Sequence, residues 1–227
     1  MADFLLTDVC ELEIVACDGA TMAPFTEKIG GDRLFWAVKR TFDIVGASLG
    51  MSLVAVLGVY LVLANPQRNP GPLFFTQTRM GRGGRPFTAY KFRTMLPAGD
   101  AVRGPQDGLE THRITDLGAW LRATRLDETP QFVNVLLGQM SLIGPRPDIY
   151  EHAVAYARVS RSYRRRHIVR PGISGLSQVR MGYAEGLGMV RRKACKDLAY
   201  IRRAGWRTEM AVLLRTFWVM RTGFGAK

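Results

Sequence analysis

Cysteine and histidine are both scarce in this 227-residue chain, with three of each. Cys10, Cys17 and Cys195 form an odd set without Cys-x-x-Cys spacing, and only His112, His152 and His167 could join them. That excludes a disulfide framework and a zinc site, and it fits reduced thiols facing a cytosol. Acidic residues are also few: 19 Asp and Glu against 32 Lys and Arg leave a net charge of +13. Such an imbalance calls for an anionic partner, whether nucleic acid, phospholipid or a phosphorylated substrate. Nucleic acid lacks its signatures here, because the chain has no RNP-like aromatic motif, no helix-turn-helix pattern and no zinc finger. A glycine-rich phosphate loop is missing too: Gly81-Arg82-Gly83-Gly84 has the wrong spacing and no helical pattern follows it. There is no internal repeat and no low-complexity segment.

What is present begins with an uncharged run. From Ile44 to Ala64 lie 21 residues without a charge. As a helix at ~1.5 Å per residue they would reach ~30 Å, the hydrocarbon thickness of a bilayer. Lys39 and Arg40 precede the run and Arg68 follows it. A buried core helix is the alternative, but the segment has no polar face, and the membrane is the better reading. It starts too far in for a secretory signal and no small-residue cleavage site follows. Residues 1–33 read as an acidic tail, 34–68 as a membrane-anchoring helix ended by Asn65-Pro66, and 69–227 as one further domain. In that domain two aromatic and β-branched runs within 73–95 flank the Gly81–Gly84 turn, which predicts a β-hairpin. Beyond Pro97 apolar residues recur at helical spacing (Leu117, Trp120, Leu121; Phe132, Val133, Leu136, Leu137). Residues 197–222 carry an apolar face with Phe217, Trp218 and several cations, which suits a helix lying on anionic lipid or, nearly as well, one packed in the core. The expected fold is mainly α with one small β-hairpin: a compact membrane-associated domain with one N-terminal hydrophobic helix, re-entrant or spanning, and interfacial amphipathic helices.

Two stretches carry chemistry. Asp127 and Glu128 are adjacent carboxylates ahead of Pro130; plain helix capping by Asp127, with Gly138 as the stop, accounts for that pattern equally well. Arg146 and Arg170 each precede a proline, in Gly-Pro-Arg-Pro and Val-Arg-Pro-Gly. Proline restricts the backbone before it, so these guanidiniums are directed and suit a diphosphate gripped by two hydrogen bonds. The other arginines, 79, 82, 85 and 93 with Lys91, then 158, 161, 164, 165 and 166, read mainly as contacts to lipid phosphates. A directed cation beside paired carboxylates points to phosphoryl transfer with a divalent cation, Mg²⁺ being the expected cofactor and Asp127 its candidate ligand. Adjacent helical residues point ~100° apart, so the two acids would divide the work.

The chain resembles the bacterial sugar transferases, the monotopic polyprenyl-phosphate phosphoglycosyl transferases. The matching stretches are KRTFDI (39–44), GPLFFTQTR through YKFRTM (71–95), LDE..Q..NVL.G.MS.IGPRP (126–147) and VRPGISG.SQV (169–179), with Asp197, Tyr200 and the terminal TGFGAK. The resemblance covers about residues 36–227. It implies a two-step exchange in which Asp127 attacks the β-phosphate of a UDP-sugar, UMP leaves, and a polyprenyl (undecaprenyl) phosphate displaces the aspartate. Glu128 would assist as base or beside Mg²⁺, and Lys91, Arg122, Arg146 and Asp197 match positions used for phosphate, metal and substrate. It also implies the cytoplasmic face of the inner membrane, contact with anionic lipids, no nucleic acid, and glycosyltransferases acting downstream. A Ser-Pro that breaks the membrane helix in this family is replaced by Ala55-Val56, while the flanking cations favour both helix ends inside. Leu176 and Ala199 also replace usual aromatics. The competing reading is an inactive membrane-tethered scaffold, against which the intact acid pair argues.

Overall fold

A computed structural model describes residues 29–97, 110–181 and 187–222. The acidic tail up to residue 28, with Cys10 and Cys17, and the last residues of the TGFGAK stretch lie outside the described residues.

The uncharged run forms the middle of α1 (Arg33–Arg68), 36 residues in one helix of ~54 Å. Asp32 caps it, its Oδ1 accepting the Phe35 N–H at 2.7 Å. Asn65-Pro66 was expected to end the helix; instead it continues to Arg68. Pro66 sits in the last turn, where a missing N–H costs one hydrogen bond, and the Asn69 N–H closes that turn on the Asn65 carbonyl. Phe35, Lys39, Asp43, Ala47, Val54, Leu57, Leu61 and Asn65 are buried, one face of the helix along most of its length. The rest of the surface is apolar and exposed, including Phe42, Leu49, Leu53, Val56 and Leu63.

Strands β1 (Phe74–Met80) and β2 (Pro86–Phe92) form the expected antiparallel hairpin, with Phe75 opposite Lys91. Gly83 and Gly84 both have positive φ, which the tight connection requires. The helical region comprises α2 (Asp116–Ala123), α3 (Gln131–Leu136), α4 (Tyr150–Val159), α5 (Arg161–Arg165), α6 (Leu176–Met181), α7 (Leu187–Arg202) and α8 (Trp206–Thr222). A second pairing was not anticipated: β3 (Ser141–Ile143) runs parallel to β4 (Gly172–Ser174). It depends on bare backbone, since a Cβ on Gly172 would stand 2.1 Å from the Gly144 nitrogen and one on Gly175 2.5 Å from the Gly144 carbonyl oxygen.

Four apolar clusters form the core among the described residues. Val54, Leu57 and Leu61 of α1 pack with Phe92, Leu117 and Leu121, and Ala47 packs with Phe87, Ala89, Val135 and Met140. Ile143, Ile168, Leu198, Ile201 and Val212 join β3 to α7 and α8, while Met80, Ala157, Tyr163 and Ala194 join the hairpin to α4, α5 and α7. The KRTFDI segment adds a polar lock. Lys39 Nζ meets Glu209 Oε2 at 2.7 Å, Tyr200 donates to Glu209 Oε1 at 2.6 Å, and Asp43 Oδ1 accepts the Leu142 N–H at 3.0 Å. Breaking one partner of such a buried set strands the other charge, so α1 and α8 are fixed to the domain.

Candidate active site

The acid pair does not cap a helix. Asp127 and Glu128 occupy a 3₁₀ turn (Leu126–Glu128) between α2 and α3, and the residue preceding α3 is Pro130. The turn is entered through Arg125, the non-glycine residue with positive φ (60°) among the described residues. A side chain in that region costs ~1 kcal/mol, so packing on both sides must impose it. Gly138 does stop α3, with φ 78°. Asn134, fully buried, ties α3 to the hairpin: it accepts the Tyr90 N–H at 3.2 Å and donates to the Thr88 carbonyl at 2.7 Å. That seam brings Lys91 alongside the turn.

Both acids are buried, but they are used differently. Glu128 Oε1 takes Lys91 Nζ at 2.6 Å and the Arg146 Nη2–H, and Oε2 takes Arg146 Nη1 at 2.8 Å. Burial alone would raise its pKa, yet Arg146 and Lys91 outweigh burial and hold it well below the usual carboxylate range. Glu128 is therefore ionised and brackets two cations, Lys91 and Arg146. Asp127 has no hydrogen bond to its carboxylate from the described residues. Burial, then the Glu128 charge, pushes its pKa up to about 6 against the pull of Lys91, Arg146 and Arg122. Burial lowers the Lys91 pKa, offset in part by Glu128.

Arg122, in the last turn of α2, adds a different signal. Among the described residues its Nη2 reaches the Met95 sulfur at 3.7 Å, and its Nη1 is buried without a hydrogen-bond partner. A buried unpaired donor beside a carboxylate marks a place for an anion. Lys91, Arg122, Asp127, Glu128 and Arg146 thus form one group.

Arg170 and Asp197 are not brought into it. Arg170 donates through Nε to the Gly138 carbonyl at 2.9 Å, beside Arg40, which holds the Val135 and Leu136 carbonyls at 2.8 and 3.2 Å. The two arginines cap the end of α3. Asp197 on α7 is 1% exposed, with its Oδ2 2.8 Å from Arg166 Nη2. That contact is a buried ion pair, with the Ser177 hydroxyl also beside the carboxylate. Burial raises the Asp197 pKa, against Arg166 and Lys193.

Several arginines read as lipid contacts turn into the protein instead. Arg93 holds the carbonyls of Asn69, Pro72 and Met95, and Arg79 holds that of Pro147 at 2.7 Å. Arg166 is 1% exposed. Spacing alone could not separate it from its four neighbours in the basic run. Its partner Asp148 lies directly after the Gly-Pro-Arg-Pro stretch.

The Asp127 carboxylate, without a hydrogen bond from the described residues, lies within the electrostatic influence of Lys91, Arg146 and Arg122, a setting suited to an anionic substrate. The chain matches the bacterial sugar transferase family over residues 34–223, and it belongs to that family. It is 39% identical over 192 residues to a UDP-N-acetylgalactosamine-undecaprenyl-phosphate N-acetylgalactosaminephosphotransferase of Aeromonas hydrophila, covering 84% of this chain and 45% of that protein. It is also 39% identical over 180 residues to a UDP-glucose:undecaprenyl-phosphate glucose-1-phosphate transferase of Caulobacter vibrioides (78% and 67%), and 35% over 204 residues to its namesake in Escherichia coli K12 (88% and 43%). The chain spans about half the length of several of the curated relatives it matches.

Proposed function

We propose that this protein is a phosphoglycosyl transferase that moves a sugar-1-phosphate from a UDP-sugar to polyprenyl phosphate at the cytoplasmic face of the membrane. The observation that carries this reading is the contrast between the acids: Glu128 is saturated by Arg146 and Lys91, while Asp127, raised to about 6, is unbonded and ionised at neutral pH. The names of the relatives supply the substrates.

The chemistry follows from the residues. An Asp127 carboxylate oxygen bonds to the β-phosphorus of the donor. The bond from that phosphorus to the bridging oxygen breaks, and UMP departs with that oxygen. A phosphate oxygen of the polyprenyl acceptor then bonds to the same phosphorus as the Asp127–phosphorus bond breaks, leaving the sugar on a diphosphate lipid for downstream glycosyltransferases. Only P–O bonds break, so the anomeric configuration is kept. Arg122 offers its unpaired N–H to the diphosphate, and Arg146 with Lys91 holds Glu128 ionised beside it. The described residues hold no cluster of three acidic, His or Cys side chains, so a Mg²⁺ ion would be held by Asp127 as its one carboxylate together with substrate phosphates and water. Bound there, it would neutralise phosphate charge.

Membrane attachment rests on surface. The most apolar 18-residue window of α1 has mean hydropathy 2.2 and is 22% buried. Trp206 at the start of α8 packs on Phe35 and Phe42 of α1, with ring centroids 5.0 and 5.7 Å apart. The exposed Met210, Leu214, Phe217 and Trp218 of α8 therefore continue the apolar surface of α1. Packing of α1 on the domain from Phe35 to Asn65 supports a helix lying along the bilayer surface rather than a spanning one, with arginines of α8 near lipid phosphates.

The test incubates protein in detergent with Mg²⁺, UDP-sugars and undecaprenyl phosphate. UMP release that vanishes in Asp127→Asn is expected; no release with any UDP-sugar would refute transfer and leave the scaffold reading.

A further inference from the structure

Behind the site lies a buried charge cluster that the proposed chemistry does not use. Arg166 follows α5 directly, and its side chain is 1% exposed. Its Nη1 donates to Asp148 Oδ2 at 2.6 Å and its Nη2 to the main-chain carbonyl of Arg146 at 2.5 Å. Nη2 also lies 2.8 Å from Asp197 Oδ2. Lys193 on α7 meets Asp148 Oδ1 at 2.5 Å, and the Tyr163 hydroxyl donates to Asp148 Oδ2 at 2.7 Å. The Tyr163 ring lies 5.1 Å beneath the guanidinium.

We propose that Arg166 is a positioning residue for transfer: anchored by Asp148 and Asp197, it holds the Arg146 carbonyl and so sets where the Arg146 guanidinium meets Glu128. Two cations against two carboxylates leave the cluster neutral, so it has no net charge to offer a substrate phosphate. Its hydrogen bond to the Arg146 carbonyl links it to the residue that brackets Glu128. The rest of the turn is held in the same way: the Gly172 N–H bonds the Pro145 carbonyl, Arg79 the Pro147 carbonyl, and the Met80 N–H the Asp148 carbonyl. Arg166 closes that set at the residue that matters most. Asp197 then acts on the site through Arg166, one layer back from the phosphates.

The inference deepens the proposed function, and its kinetic test rests on that reading. Arg166→Lys keeps the charge between the two carboxylates, but a single ammonium lacks the planar fork that reaches Asp148 and the Arg146 carbonyl together. Expected are a fall in kcat of about tenfold to a hundredfold, a donor KM within about threefold of wild type, and a Tm within a few degrees of it. In an Arg146→Ala background, adding Arg166→Lys should cost almost nothing further, because the residue acts through Arg146. Full multiplication of the two losses would overturn the proposal, as would a kcat that recovers together with Tm in Arg166→Lys. Tyr163→Phe, which removes only the hydroxyl on Asp148, repeats the cycle where Arg166→Lys fails to fold, with a loss of about twofold to fivefold expected. A readout independent of turnover is amide hydrogen exchange at Met80 and Gly172. Faster exchange at both in either variant supports the proposal, and unchanged exchange overturns it even if the protein proves to have no transferase activity.

Discussion

Replacing Asp127 with asparagine should abolish transfer and make the protein more stable. The magnitude follows from the site. Folding raises the Asp127 pKa from 3.8 to about 6, with burial first and Glu128 second as causes. A carboxyl that is harder to ionise when folded contributes no penalty below pH 3.8, a growing one between 3.8 and about 6, and a constant one above. About two units at 1.36 kcal/mol each give ~3 kcal/mol at pH 8. Asparagine has nearly the same shape and no charge, so Asp127→Asn should recover most of this, a rise in Tm of ~5–10 °C for a chain of this size. Thermal unfolding of both proteins in Mg²⁺-free detergent at pH 8 and pH 4 is the assay. The gain should shrink towards zero at pH 4. Equal stability at pH 8, or the same gain at both pH values, would show that Asp127 is not held ionised at a cost.

Three further outcomes are expected. The kcat/KM profile should fall on the acid side with an apparent pKa near 6; Glu128→Gln should move that limb down by ~1 unit while lowering the plateau at least tenfold, because it removes a repelling charge and unseats Lys91 and Arg146. Gly172→Ala should destabilise by ~3 kcal/mol or more in urea, since its Cβ meets the Gly144 nitrogen at 2.1 Å, whereas Gly58→Ala, with nothing within 4 Å in mid-helix, should stabilise by ~0.5–1 kcal/mol. Arg122→Ala should raise donor KM by about tenfold, whereas Arg170→Ala should cost ~1 kcal/mol of stability and leave kcat/KM within about threefold.

Much of this was legible in the sequence where a signal repeated over many residues. The uncharged run gave α1, and two aromatic runs around glycines gave the hairpin. The acid pair, Arg146, Lys91 and Arg122 were all visible as residue types, and the structure gathers them. What escaped was set by single long-range contacts. β3 and β4 have three residues each, too few to show a period, and their pairing depends on glycines whose missing side chains leave no local pattern. Asp127 carried a capping signature, but the left-handed Arg125 redirects the chain into a 3₁₀ turn first. Arg166 differs from Arg164 and Arg165 by its place on the turn of helix facing Asp148, which no composition reveals.

The parallel pairing of β3 with β4 has a consequence for biosynthesis. Asp127 and Glu128 leave the ribosome well before Gly172 and Ser174, yet Arg146 is registered only once that later strand pairs. Lys39, among the first described residues to emerge, waits longer still, for Glu209. The acid pair is thus made before its full clamp can close. A nascent chain whose α1 has already met lipid would gain its chemical competence only once α8 has been made.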